Sequence, residues 1–359
     1  MPSLRFTSLP RIVLTLIGAF AAARLCLWLS TPLPWMLGPL IATSLASICG
    51  APTASSVRLR NAGQWTIGAT LGLYFTPAMV EQIAGLWWAI ALAIAWALLL
   101  GWGFGAWLYK MHAPYMGELG ARRLHATTYF SGSIGAASEM ALLAERQGAR
   151  TDLVAASHSL RLVIVTVTIP FALQWSGFHG LAELAPPSIR VVNGQGLALM
   201  VLLTGLGAAG MLWLKRANPW FLGALLVSML LTMAGRELSA VPQGLINAAQ
   251  LVIGVSLGVR FRPEFVRTAP RWLGSVALGT LVLMAVCAGF AWMLHAITGL
   301  PWVTLLLATS PGGITEMAIT AKVLHLGVPL VTAFQVCRLI AVLLLVAPIF
   351  HWLQKRRPQ

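Results

Sequence analysis

Two short segments hold most of the chemistry this sequence has to offer. The first reads Ser131-Gly132-Ser133-Ile134-Gly135-Ala136-Ala137-Ser138-Glu139, the second Ser310-Pro311-Gly312-Gly313-Ile314-Thr315-Glu316. Glycine, joined by proline in the second, interrupts an otherwise helical apolar stretch. Half-helices ending at such a break offer free N–H groups to an anion or free carbonyls to a cation. The acid that follows, Glu139 or Glu316, is favoured near a helix N-terminus. At bilayer depth an acid costs at least ~2.5 kcal/mol and needs a partner. Arg161 and Arg338 follow the two glutamates at one common separation, each in the next apolar span, and are the expected partners. Such pairs act either as static braces or as a gate on a substrate path, and the sequence leaves both open. The structural alternative for the two segments is tight helix packing through small residues. The candidate binding or gating residues are therefore Ser133, Gly135, Ser138, Glu139 and Arg161, with Ser310, Gly312, Gly313, Thr315, Glu316 and Arg338.

Other chemistry is hard to find. The histidines (His112, His125, His158, His179, His295, His325 and His351) show no HxH or HExxH spacing. GxSxG and P-loop motifs are missing too. The four cysteines (Cys26, Cys49, Cys287 and Cys337) sit in apolar stretches without CxxC spacing and read as small hydrophobes. The expectation is no enzyme, no catalytic residue, no metal and no cofactor.

The two segments belong to an internal repeat. Pro34-Trp35-Met36-Leu37-Gly38 recurs as Pro219-Trp220-Phe221-Leu222-Gly223, and Leu27-Trp28-Leu29 as Leu212-Trp213-Leu214. Asn61-Ala62-Gly63-Gln64 recurs as Asn247-Ala248-Ala249-Gln250, and Ser138-Glu139-Met140-Ala141 as Thr315-Glu316-Met317-Ala318. Arg161-Leu162 recurs as Arg338-Leu339. Chance apolar similarity does not preserve this order. The expected organisation is a first repeat over 1–178, a connecting loop over 179–192 that holds Pro186, Pro187 and Arg190, and a second repeat over 193–359. Pro34, Trp35, Gly38, Pro219, Trp220 and Gly223 read as structural marks of the repeat, since Pro is well placed in a first helical turn. Asn61, Gln64, Asn247 and Gln250 are candidates for hydrogen bonds across helices.

Composition decides the solvent. Of 359 residues 58% are hydrophobic and 9% charged, against roughly 25% charged in a soluble domain. Residues 83–109, 191–214, 217–235 and 272–294 contain no Asp, Glu, Lys or Arg. About 20 such residues cross a hydrocarbon core as a helix. The expected fold is all-α and polytopic, with about ten spans (12–31, 33–51, 61–79, 83–109 and 153–176; 193–214, 218–235, 246–260, 273–297 and 327–352). Segments 126–147 and 303–322 are added as broken or re-entrant elements. Trp87, Trp88 and Trp107 near span ends suit interfacial anchoring. The net charge of +15 lies mostly in short loops, as topology determinants do, so no direct nucleic-acid partner is expected.

Charge also orients the halves. With the N-terminus inside, 18 of the 24 basic residues fall on cytoplasmic segments and only Arg190, Arg236 and Lys322 outside. Arg24, Arg161 and Arg338 lie within spans. If the two broken elements cross fully, the count becomes 12 against 9. The strong asymmetry favours an odd number of spans per half and thus inverted halves with both termini cytoplasmic. Arg5, Arg11 and the apolar run to Ala21-Ala22-Ala23 resemble a secretory signal. The repeat partner of Leu27-Trp28-Leu29 argues that this segment stays attached.

The paired PWxLG segments, the run Ser310–Ala318, its degenerate partner over 131–141 and the turn ending in Arg338 resemble the AbrB-type membrane protein family. The resemblance covers nearly the whole chain. Ile134 and Ala136 depart from the pattern where the second half has Pro311 and Gly313, so the first break is expected to be milder. Members are labelled ammonia monooxygenases or AbrB-family transcriptional regulators. The first label implies copper, which the scattered histidines do not suit; the second implies an indirect role in gene expression, since nothing in the chain looks like a DNA-binding fold. The reading favoured is a secondary transporter or exporter of a small polar solute, with or without a coupling ion, in the bacterial inner membrane. The bilayer is its partner and a homo-oligomer is compatible. A non-transporting membrane regulator is the alternative, and a membrane monooxygenase a disfavoured third.

Overall fold

The computed structural model describes residues 9–176, 191–216, 218–236, 238–261 and 269–355. Among these residues every regular element is helical. Most of the expected connecting loop, together with Arg5, Arg190, His179, Arg262, Arg267, Arg356 and Arg357, lies outside the described residues.

The first half gives α1 (Leu9–Trp28), α2 (Pro34–Ile48), α3 (Val57–Gly72), α4 (Pro77–Gly85), α5 (Trp87–His112), α6 (Ala121–Gly132), α7 (Ala137–Arg146) and α8 (Thr151–Trp175). The second gives α9 (Gly194–Trp213), α10 (Pro219–Met233), α11 (Gln243–Gly258), α12 (Pro270–Thr298), α13 (Trp302–Thr309), α14 (Ile314–Val323) and α15 (Val328–Lys355). The repeat reaches local geometry. Pro34 and Pro219 each open a 15-residue helix behind a left-handed residue, Leu33 and Asn218, both at φ 46°. Such a residue costs roughly 1–2 kcal/mol when it carries a side chain, and both halves accept it to turn the chain sharply into a proline-led helix.

Among the described residues six helices (α1, α5, α8, α9, α12 and α15) are long and apolar enough to cross a membrane. The other expected spans fall on shorter helices. Helices α2, α3, α10 and α11 have only 15 or 16 residues, about 24 Å at most. That falls short of a hydrocarbon core of about 30 Å. The third expected span also stops early: α3 ends at Gly72, and α4 is a separate helix. Exposed apolar side chains face outward along the long helices, such as Leu14, Ile17 and Leu206. The repeat-related Trp28 and Trp213 end α1 and α9 with 80% and 83% exposure, as interfacial anchors do.

The chain forms two compact units, each drawing helices from both halves. The first unit (1–83, 169–268 and 318–329) contains α1–α3 and α9–α11. Its contacts are reciprocal. Gly68 of α3 lies against the backbone of Phe221 in α10, and Gly254 of α11 against that of Met36 in α2. Gly72 faces Ser228 while Gly258 faces Thr43. Met36 and Phe221 are repeat partners, and so are Thr43 and Ser228. An exchange of this kind is what a two-fold relation between two like pieces produces. Glycine is needed at these four positions because a β-carbon would strike the facing helix.

The second unit (84–168, 269–317 and 330–359) contains α5–α7, α12, α13 and most of α8 and α15. Here α6 and α7 form a hairpin rather than one bent rod. The Arg150 N–H, just beyond α7, donates to Thr127 Oγ1 in α6 at 3.0 Å. A continuous helix would separate residues 127 and 150 by more than ~30 Å. Ala126, Tyr129 and Phe130 of α6 share one buried cluster with Met140 and Ala144 of α7 and with Val342, Val346 and Phe350 of α15. The Tyr129 hydroxyl, buried in that cluster, donates to the Val346 carbonyl at 2.9 Å.

Candidate functional site

The two helix breaks are built alike. Helix α6 stops at Gly132 and α13 at Thr309, and the next residues, Ser133 and Ser310, turn extended at φ −53°, ψ 140° and φ −59°, ψ 147°. A helix end leaves its last carbonyls without N–H partners, and a buried orphan carbonyl is costly. Each half solves this with an arginine from its last long helix. In α8, Arg161 donates through Nη1 to the carbonyls of Ser131 (3.3 Å) and Gly132 (3.2 Å), and through Nη2 to that of Ser133 (2.8 Å). In α15, Arg338 donates through Nη1 to the carbonyls of Thr309 (3.5 Å) and Ser310 (2.5 Å), and through Nη2 to that of Gly312 (3.0 Å). The arginines are 2% and 6% exposed, so these bonds form away from water.

Carbonyls of the helix ends are thus partners of both arginines. The physical reason is the helix end: three carbonyls left there converge on each guanidinium, which has donors enough for all of them. Both glutamates occupy the third position of the following half-helix, α7 or α14, where an acid complements the N-terminal partial charge. In the second half the Glu316 carboxylate folds back over Gly313, into the space where any side chain on that residue would go. In the first half Ala136 already carries a methyl at the matching position. Glu139 is accordingly half-buried, whereas Glu316 is 7% exposed.

The other expected residues fall around the breaks. Gly135 and Gly312 lie under the buried methionines Met140 and Met317, which a β-carbon would strike. The Ser133 hydroxyl donates to Tyr129 O, and that of Ser310 to Leu307 O. Thr315 is buried. The side chain of Ser138 lies outside the described residues. Gly313 sits beside Leu162 of α8, so the second break abuts the helix that carries Arg161. Trp35, Trp220 and the prolines of the repeat motif belong to the first unit, as helix starts.

A model of the AbrB family, described as "Transition state regulatory protein AbrB", matches residues 35–354. The chain belongs to this family. It is similar to the Escherichia coli (strain K12) protein named "Putative regulator AbrB", at 27% identity over 96% of this chain and 95% of that one. It is also similar to the Bacillus subtilis (strain 168) "Uncharacterized protein YhjN", at 25% identity over 89% of this chain and 87% of that protein. No solved structure matches. Among the described residues of this AbrB-family chain, no group of three or more His, Cys, Asp or Glu is placed to hold a metal ion.

Two site residues escaped the sequence reading. His158 and Gln335 precede the arginines by one helical turn and stand at the repeat offset that relates Arg161 to Arg338. His158 Nε2 bonds the Phe130 carbonyl at 2.9 Å, and its Nδ1 accepts from Arg161 at 2.7 Å. Gln335 Nε2 donates to the Leu307 carbonyl at 2.8 Å, and its Oε1 accepts from Arg338. Phe130 and Leu307 are repeat partners, so imidazole and amide do one job. The shared offset was the available signal; the different residue types hid it. A third residue, Ser131, leaves its buried Oγ without a hydrogen-bond partner beside the first break.

Proposed function

We propose that the protein is a secondary transporter or exporter of a small polar solute across the bacterial inner membrane, acting at the paired helix breaks. One observation carries this reading: two broken helices at matching repeat positions, each held by a buried arginine, lie in one compact unit. Irregular backbone at membrane depth is tolerated where it is buried in protein or lines a cavity. Matching breaks in two halves are the usual mark of a transporter site. Polar groups converge there among apolar helices, which suits a small polar solute and no enzymatic chemistry.

Inverted halves with cytoplasmic termini form part of the proposal. The α6–α7 hairpin supports them because a hairpin enters and leaves on one side, which keeps the number of crossings odd. The 18-to-3 distribution of basic residues, counted with five crossings per half, agrees with this. Cysteine labelling tests it in a variant lacking the four native cysteines. Glu118→Cys follows the long fourth span of the first half, and Leu300→Cys that of the second. Inversion expects Leu300→Cys to react from outside intact cells and Glu118→Cys only after permeabilisation. Reaction of both from one side would mean parallel halves.

Function is tested by screening small polar solutes for thermal stabilisation of the purified protein, then measuring flux of each binder in proteoliposomes. A ligand that binds only the folded state at 100 times its Kd stabilises by about 2.7 kcal/mol. A binder that is carried across supports transport. The printed name of the Escherichia coli relative favours a second reading, a non-transporting membrane regulator. Binding without flux, for every ligand found, would favour that one.

A further inference from the structure

We propose that Arg161 and Arg338 are tethered cations, each filling with its guanidinium the carbonyl seat that a monovalent metal ion takes at a broken helix. The two sites would therefore exclude Na⁺ and similar ions. The C-terminal end of a half-helix carries partial negative charge, and in broken-helix transporters such ends, with unwound carbonyls, coordinate coupling cations. In this protein the equivalent oxygens are already occupied. Ser131, Gly132 and Ser133 give theirs to Arg161; Thr309, Ser310 and Gly312 give theirs to Arg338. The seat is built and not incidental, because His158 and Gln335 bind the same guanidiniums and also tie down the carbonyls of Phe130 and Leu307. Arginine suits the place: its charge is weakly hydrated, so burial is less costly than for ammonium, and its planar fork reaches several oxygens at once. A metal ion entering the seat would meet a fixed positive charge and no free carbonyl. The inference rests on the geometry of the breaks alone. In the transport reading it says where coupling does not originate.

The experiment reads stability, with no flux, so its failure is separate from failure of the transport proposal. Thermal unfolding of purified protein is followed in NaCl, KCl and choline chloride at equal ionic strength. The expected result for the native protein is one melting temperature in all three; a saturable rise specific to Na⁺ or K⁺ would overturn the proposal. Arg161→Ala and Arg338→Ala should each melt lower by about 5 °C or more. Guanidinium chloride at low millimolar concentration, far below denaturing levels, should raise the melting temperature of these variants saturably and leave the native protein unchanged. Variants that respond to neither guanidinium nor a metal ion would show that the seat does not bind cations. If the alanine variants do not accumulate, Arg338→Lys and Arg338→Met decide. Lysine keeps a charge and three donors, so it should give more folded protein than methionine; equal yields would reject the tethered cation.

Discussion

The two breaks differ at a few positions, and some of the differences have a visible consequence. At the first, Gly132 ends α6, Ala136 precedes α7, and His158 serves Arg161. At the second, the matching residues are Thr309, Gly313 and Gln335. Both breaks cap their carbonyls with arginine. They diverge in what surrounds that cap: α5 crosses very close to Gly132, whereas the second break leaves room for a threonine and admits the Glu316 carboxylate over a glycine. What the halves share is thus the electrostatic solution to a helix end. What they vary is the neighbour each break must accommodate. Exchanging residues between the halves separates these two contributions.

The largest effect is expected from giving the first break the second one's threonine. A β-carbon on Gly132 would lie 2.4 Å from Gly105 N and 2.6 Å from Gly101 O. These are backbone atoms of α5, so no side chain can swing aside. Gly132→Thr should destabilise by roughly 4 kcal/mol or more, in the class of overpacking that few single substitutions reach. Loss of monodisperse folded protein on size exclusion is the expected observation. A Gly132→Thr variant that melts near the native temperature would mean that α5 and α6 are not in close contact. The reverse change, Thr309→Gly, should cost less, about 1–3 kcal/mol, from glycine in a helix and the loss of a buried side chain.

Much of this was legible beforehand, for identifiable reasons. The helix breaks follow from Gly and Pro in apolar stretches, and the repeat follows from Pro34-Trp35 against Pro219-Trp220. Nine of the ten expected spans lie within a few residues of a helix because charge-free runs have well-marked ends. The exception, residues 61–79, fails because Gly72 closes α3 with no charge or proline at the boundary. That α2, α3, α10 and α11 are shorter than the long helices was not legible, because hydropathy does not mark where a helix stops. The carbonyls that bind Arg161 and Arg338 were not legible, because sequence displays charged side chains and leaves no mark of a helix end's free carbonyls. His158 and Gln335 were hidden by their unlike chemistry.

An intermediate effect is expected at the residue before α14. Gly313→Ala gives the second break the alanine of the first and drives a methyl into the space of the Glu316 carboxylate, with Leu162 also close. Overpacking of this kind costs about 1–3 kcal/mol. The displaced carboxylate must then leave its buried position and come to resemble Glu139. A double-mutant cycle identifies the cause. In a Glu316→Ala background most of the Gly313→Ala penalty should vanish, because contacting residues couple. An unchanged penalty would assign the clash to Leu162, and the residue before the half-helix would no longer explain why Glu139 and Glu316 differ in burial.

The smallest effect is expected from the substitution that looks most drastic, His158→Gln inside a buried arginine site. Gln335 already shows what glutamine does one turn before the arginine: Nε2 donates to the carbonyl of the half-helix, and Oε1 accepts from the guanidinium. His158 satisfies the equivalent pair, Phe130 O and Arg161 Nη2, with its two ring nitrogens. Glutamine at 158 has one donor end and one acceptor end at similar reach, so no buried group is left without a partner. The change should therefore stay within about 1 kcal/mol of the native protein in thermal unfolding. His158→Ala should cost about 1–3 kcal/mol, because it strands the guanidinium and the Phe130 carbonyl together. Were His158→Gln as harmful as His158→Ala, the two arginine sites would not be equivalent. The imidazole would then have a role at the first break that no amide at the second supplies.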